Sequence, residues 1–238
     1  MPIIVAHRGL HVDLPENSLP AMLAAWDAGI TWCECDVHLS ADGIPIVIHD
    51  ETLDRTTTGH GRVADFTASD LKKLKLLGPG GNPTAHTIPL LDDLLEPCGA
   101  NRRLLVETKP LLGERIDPIA KKVSEMQGML HSFHIDDMRR AGRITSNRCP
   151  VALLAEDARD LPADFPGSFH LNHQSLTQCP RVKIGVWTVN DLQQIRRMIE
   201  IGVEMIITDV PLEAQRLARS VEASAPSPAL PASQKSAD

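Results

Sequence analysis

Short apolar runs alternate along this chain with stretches whose apolar residues recur at helical spacing. The runs lie at 3–7, 32–36, 104–108, 129–133, 151–154, 168–172, 184–189 and 205–209. Each is short and bounded by polar residues, the pattern of a strand buried on both faces. Residues 18–29, 90–98, 114–126, 135–143, 191–201 and 211–221 carry the helical spacing, with Ser18 and Asp191 as N-caps and Gly29 and Gly202 as stops. Eight strands with mostly helical crossovers predict an α/β fold, a (β/α)8 TIM barrel, with an open doubly wound sheet as the competing architecture. The 155–167 connection has too little pattern to predict a helix.

One piece breaks the alternation. Only twelve residues separate Asp36 from His49, with Asp42-Gly43 in the middle. That is too short for a parallel crossover and suits a hairpin. With Asp42-Gly43 as a two-residue turn, Asp36 faces His49, which returns beside the carboxylates of the second strand. Residues 50–89 follow as a small insertion rich in Thr, Gly, Asp and Pro, with one helix expected near 69–77. An insertion this long is expected to shape access to the barrel mouth. The barrel domain is expected over 1–218, and 219–238 as a disordered Ala/Ser/Pro-rich tail.

The polar residues that end these runs carry the chemistry. His7-Arg8-Gly9 follows the first run, Glu34 and Asp36 end the second, His49-Asp50 ends the hairpin, and Glu107 and Lys109 end the third long run. Sites on parallel barrels are built at such strand ends. Glu34 and Asp36 are two apart on a strand and share a face. With Glu107 they make a hard oxygen site, which favours one divalent cation, Mg²⁺ or Ca²⁺, over zinc. His7 and His49 suit a general acid and base pair near neutral pH. Arg8 can grip phosphate oxygens and Lys109 can act as a point charge, or Lys109 can simply neutralise Glu107.

Composition narrows the picture. A 42% hydrophobic content supports a large core, although aromatics are only 3% and Tyr is absent. The net charge of -7 with no basic cluster argues against nucleic acid or an anionic membrane as partner. No apolar run is long enough to span a bilayer. The five cysteines, 33, 35, 98, 149 and 179, lack paired CxxC spacing. A reduced, cytoplasmic protein is expected, with no choice of oligomeric state.

Eight motifs then fall in order. They are His7-Arg8-Gly9, Pro15-Glu16-Asn17-Ser18, Glu34-x-Asp36, Asp42-Gly43-x-Pro45-x-Val47-x-x-His49-Asp50, Leu53-Asp54-Arg55-Thr56-Thr57, Glu107-x-Lys109, Trp187-Thr188-Val189-Asn190 and Thr208-Asp209. Together, across residues 3–212, they resemble the glycerophosphodiester phosphodiesterase family. Only Ser18, where Thr is usual, and short connections after residues 109 and 172 depart from its pattern.

The resemblance implies a barrel enzyme that hydrolyses a small-molecule glycerophosphodiester to an alcohol and glycerol 3-phosphate. It makes His7 and His49 the catalytic pair and Glu34, Asp36 and Glu107 the cation ligands. Arg8 and Lys109 contact phosphate, and Trp187 packs on glycerol or serves the core. Glu16 and Asn17 are expected to brace the first loop, and Thr208-Asp209 to be structural. The nucleophile is either the glycerol 2-hydroxyl or water. A phospholipase-like or sphingomyelinase D-like enzyme and a non-catalytic phosphodiester sensor are the rival readings.

Overall fold

The computed structural model describes residues 1–110, 112–176 and 183–224. The first part of the chain forms β1 (Ile3–Ala6), α1 (Leu19–Asp27), β2 (Trp32–Leu39), β3 (Pro45–Val47), α2 (Ala68–Leu71), β4 (Lys75–Leu77), β5 (Pro83–Thr87) and α3 (Leu91–Leu95). Then come β6 (Arg103–Thr108), α4 (Ile116–Glu125), β7 (Met129–Ser132), α5 (Ile135–Ile144), β8 (Val151–Ala155) and β9 (Ser168–Asn172). The chain continues through β10 (Ile184–Trp187), α6 (Leu192–Ile201), β11 (Met205–Thr208) and α7 (Pro211–Ser224).

Eight strands close into a parallel barrel in the order β1, β2, β6, β7, β8, β9, β10, β11. The ring closes where β1 lies between β11 and β2, with Ala6 opposite Thr208 on one side and Cys33 on the other. The eight expected strands are therefore all present, and the open-sheet alternative is excluded. Local chemistry sets the helix ends as the sequence implied. The Ser18 hydroxyl accepts from the Ala21 N–H, Asp191 accepts from Gln193 and Gln194, and Gly202 closes α6 at φ 85°. The 155–167 connection holds a single 3₁₀ turn at Ala158–Asp160 instead of a helix.

Aliphatic side chains fill the core. Inside the barrel, Val5, Leu105, Met129, Ala152, Met205 and Ile207 form one cluster, and a larger one lies between the strands and the helices. Each fully buried Leu or Ile stabilises by about 1.5–3 kcal/mol, so few aromatics suffice. Among the described residues, no helix is long and apolar enough to cross a membrane.

Three expectations need correction. The hairpin pairs Val37 with Val47 and Leu39 with Pro45, one residue off the expected register. Asp36 therefore meets Ile48, whose N–H donates to the Asp36 carbonyl at 3.0 Å. The cause is the turn, which spans Ala41-Asp42-Gly43 with Gly43 at φ 77°, a three-residue loop and not a two-residue one. His49 still reaches the barrel mouth because β3 ends at Val47 and the chain bends there.

The 69–77 helix is only Ala68–Leu71. The following residues pair into the β4–β5 ribbon, because Leu76 is needed in the insertion's own core with Ile46, Ile48, Leu53, Leu71 and Ile88. Last, α7 runs to Ser224, so residues 219–224 are helical. The remainder of the expected tail, and Cys179, lie outside the described residues.

Candidate active site

The first strand ends in a tight turn that aims two side chains at the mouth. Arg8 adopts φ 55° and Gly9 φ 83°, and a Cβ on Gly9 would lie 2.7 Å from the Ala21 backbone. A left-handed arginine is strained, and such conformations persist where neighbours over-determine them. Here the Arg8 N–H donates to Glu34 Oε2 at 3.1 Å, and its guanidinium donates to Glu16 at 2.9 Å and lies 3.2 Å from Asp36.

Both histidines carry an aspartate on Nδ1. His7 Nδ1 is 2.6 Å from Asp209, which also accepts from Asn190 at 2.6 Å and lies 3.2 Å from His11 Nε2. His49 Nδ1 is 2.6 Å from Asp50, which is gripped by Arg55 at 2.6 and 3.0 Å. Arg55 also forks onto Glu16, the partner of Arg8. This arrangement fixes each imidazole through Nδ1 and leaves Nε2 as the nitrogen for any proton exchange.

Burial works against charge on His7, but the Asp209 hydrogen bond and the field of Glu34 outweigh it and raise its pKa. Asp209 is depressed well below the carboxylate range despite its burial, through its bonds to His11 and His7. Asp50 is depressed chiefly by the Arg55 hydrogen bond.

Below the histidines lies a buried acidic centre. Glu34, Glu107 and His131 bring donor atoms within 4.8 Å of one another. Asp36 is pulled aside: Asn17 donates to it at 2.7 Å and Lys109 Nζ lies 2.9 Å away, while the same ammonium is 2.7 Å from Glu107. Burial opposes the Asp36 charge, yet Lys109 and Arg8 hold its pKa far below normal; burial raises that of Glu107.

Glu34 Oε1 and His131 Nε2 are buried without a hydrogen bond, while Asp36 Oδ1 and Glu107 Oε1 share the single Lys109 ammonium at 2.9 and 2.7 Å. Buried carboxylates in that state are costly unless a cation joins them. The donor set therefore fits a divalent ion.

All of this opens on one cavity of about 210 Å³, lined by His7, Arg8, Glu34, His49, Glu107 and Lys109 on one side. Trp187 and Phe133 face it from the other, edge to face at 5.8 Å. Seven of the eight residues expected from sequence thus line it. Asp36 lies behind Lys109 instead.

Sequence reasoning passed over three residues. Asp209, expected to be structural, holds His7. Arg55 links Asp50 to Glu16. His131 joins the acidic centre, and its signal was a histidine inside the otherwise apolar run 129–133. Glu16 and Asn17 brace the first loop as expected, through Arg8 and Asp36 in particular.

A (β/α)8 barrel with two imidazoles over an acidic centre defines a hydrolase-type site at the C-terminal strand ends. The model of the glycerophosphoryl diester phosphodiesterase family matches residues 7–213. A glycerophosphodiester phosphodiesterase from Caldanaerobacter subterraneus is 31% identical over 230 residues, covering 88% of this chain and 94% of that protein.

Among solved structures, a Silicibacter pomeroyi protein described as a glycerophosphoryl diester phosphodiesterase superposes with TM-score 0.80 at 23% identity, covering 93% of this chain and 94% of that one. An Oleispira antarctica phosphodiesterase in complex with the product sn-glycerol-3-phosphate superposes at 0.77 and 24%, covering 92% and 97%. The chain belongs to the glycerophosphoryl diester phosphodiesterase family and is an enzyme of that class.

Proposed function

We propose that this enzyme hydrolyses glycerophosphodiesters to an alcohol and sn-glycerol 3-phosphate, with His7 and His49 as general acid and base beside a divalent cation. The observation that carries the reading is the pair of His–Asp contacts, both at 2.6 Å, on one cavity with the acidic centre. One histidine takes the proton from the attacking oxygen at its Nε2 as the new P–O bond forms. The other delivers a proton to the alkoxide as the P–O bond to the head group breaks.

Arg8 and Lys109 flank the phosphate position as fixed cations, each anchored by a carboxylate. Glu34 and Glu107, with Asp36 behind Lys109, would hold the cation, which would supply Lewis-acid stabilisation of phosphate charge. Trp187, whose indole N–H donates to the His170 carbonyl at 2.9 Å, offers a fixed apolar wall for the glycerol carbons. The four described cysteines are free, which supports a reducing, cytoplasmic setting.

The experiment is release of glycerol 3-phosphate from glycerophosphocholine and glycerophosphoethanolamine, with EDTA and with divalent ions restored. Release abolished by EDTA and restored by metal is the expected outcome. No release with any ion, from protein shown to be folded, would sink the reading and favour a sensor.

A further inference from the structure

Two imidazoles sit inside the barrel, where apolar side chains would cost less. His131 on β7 and His170 on β9 are each 2% exposed. Their Nδ1 atoms are 3.1 Å apart, with ring centroids at 5.1 Å. The neighbouring strands make room for them. The small Ala152 of β8 lies beside His131, and Gly185 of β10 lies beside His170. A Cβ at 185 would stand 2.6 Å from the His170 ring. Buried imidazole nitrogens are costly unless they are used.

Only one proton fits between the two Nδ1 atoms. Among the described residues no carboxylate pairs with His170 (its ring meets His131), so its burial keeps it neutral. Three arrangements are then open. With the shared proton on His170, or with His131 protonated on both nitrogens, His131 carries a proton on Nε2 and should donate it to the carboxylates. Yet Nε2 stands 3.7 Å from Glu34 Oε1, beyond hydrogen-bond distance, and makes no hydrogen bond. With the proton on His131 Nδ1, its Nε2 lone pair points at carboxylate oxygens. That arrangement is repulsive unless a cation lies among them.

We propose that His170 is a positioning residue that keeps the proton on His131 Nδ1, so that His131 Nε2 joins Glu34 and Glu107 as a nitrogen donor and the site prefers Mn²⁺ to Ca²⁺. Calcium takes oxygen ligands, whereas imidazole suits first-row transition ions. The inference rests on the cation reading of the proposed function. It adds a nitrogen donor to the oxygen site for Mg²⁺ or Ca²⁺ expected from the sequence.

The test is calorimetric titration of the full chain with MnCl₂ and with CaCl₂, together with pulsed electron paramagnetic resonance of the Mn²⁺-loaded protein. Mn²⁺ should bind at least about tenfold tighter than Ca²⁺ and show nitrogen modulation from imidazole. H131Q should lose that modulation and weaken Mn²⁺ binding by about 10–100-fold, while Ca²⁺ binding moves by less than about threefold. H170L should weaken Mn²⁺ binding about tenfold, and H170Q, whose amide oxygen still accepts from His131, should restore most of it.

Absence of nitrogen modulation in the wild type overturns the proposal, and that reading needs no variant to fold. Ca²⁺ binding as tight as Mn²⁺ overturns it too, and both results leave the hydrolase reading standing. No cation binding at all overturns the proposal and the metal part of that reading together.

Discussion

The two histidines meet the same partner in opposite ways. His7 directly follows β1 and is held by an aspartate 202 residues away just past β11, across the seam where the barrel closes. His49 is held by its own neighbour, Asp50, and that pair is steadied by Arg55 from the insertion. Their exposure differs accordingly, with the His7 side chain at 17% and that of His49 at 33%. The barrel supplies one of the two proposed catalytic groups through its global topology. The hairpin and insertion supply the other through local chain order. One chemistry is thus built from a rigid half and a half with its own small core.

The largest effects should be shared by both halves. His7→Gln and His49→Gln should each lower kcat for glycerol 3-phosphate release by about 10²-fold or more. Near-wild-type turnover in either variant would break the symmetry of the pair.

The aspartates should separate the halves. Asp209→Asn leaves the less exposed imidazole in the wrong tautomer and should cost about 10²-fold in kcat, whereas Asp50→Asn, beside the more exposed imidazole, should cost about tenfold. Equal losses would remove burial as the distinction.

A pH profile sharpens the contrast further. Asp209 helps hold the His7 proton, so Asp209→Asn should shift the His7 limb of kcat/KM to lower pH. Asp50→Asn should leave that limb in place. The smallest effect belongs to Arg55. It is 47% exposed, and Arg55→Ala should cost under about 1 kcal/mol in denaturant unfolding because water screens its ion pairs.

Legibility in the sequence follows the same divide. The eight strands were visible because parallel strands buried on both faces read as apolar runs. His49-Asp50 was visible because both partners are adjacent in sequence. The hairpin register slipped because one extra loop residue decides it, and nothing in Asp42-Gly43 distinguishes a two-residue turn from a three-residue one.

Asp209 was invisible as a partner of His7, since that contact exists only once β1 and β11 pair. The helix expected at 69–77 failed for a related reason, its latter half being claimed by a ribbon whose second strand lies at 83–87. His131 and His170 stood in plain view as single histidines within apolar runs, but only the fold brings them into contact at 3.1 Å.

The seam between β1 and β11 also has a consequence in time. A ribosome releases the segment bearing His7 at the start of synthesis and the segment bearing Asp209 only 202 residues later. At cellular elongation rates that interval is roughly 10–40 s. Throughout it the imidazole has no orienting carboxylate, and the nascent chain carries an unfinished version of the proposed acid–base site. Competence therefore arrives with the last strand, and turnover by a ribosome-bound chain would mark the moment its ring has shut.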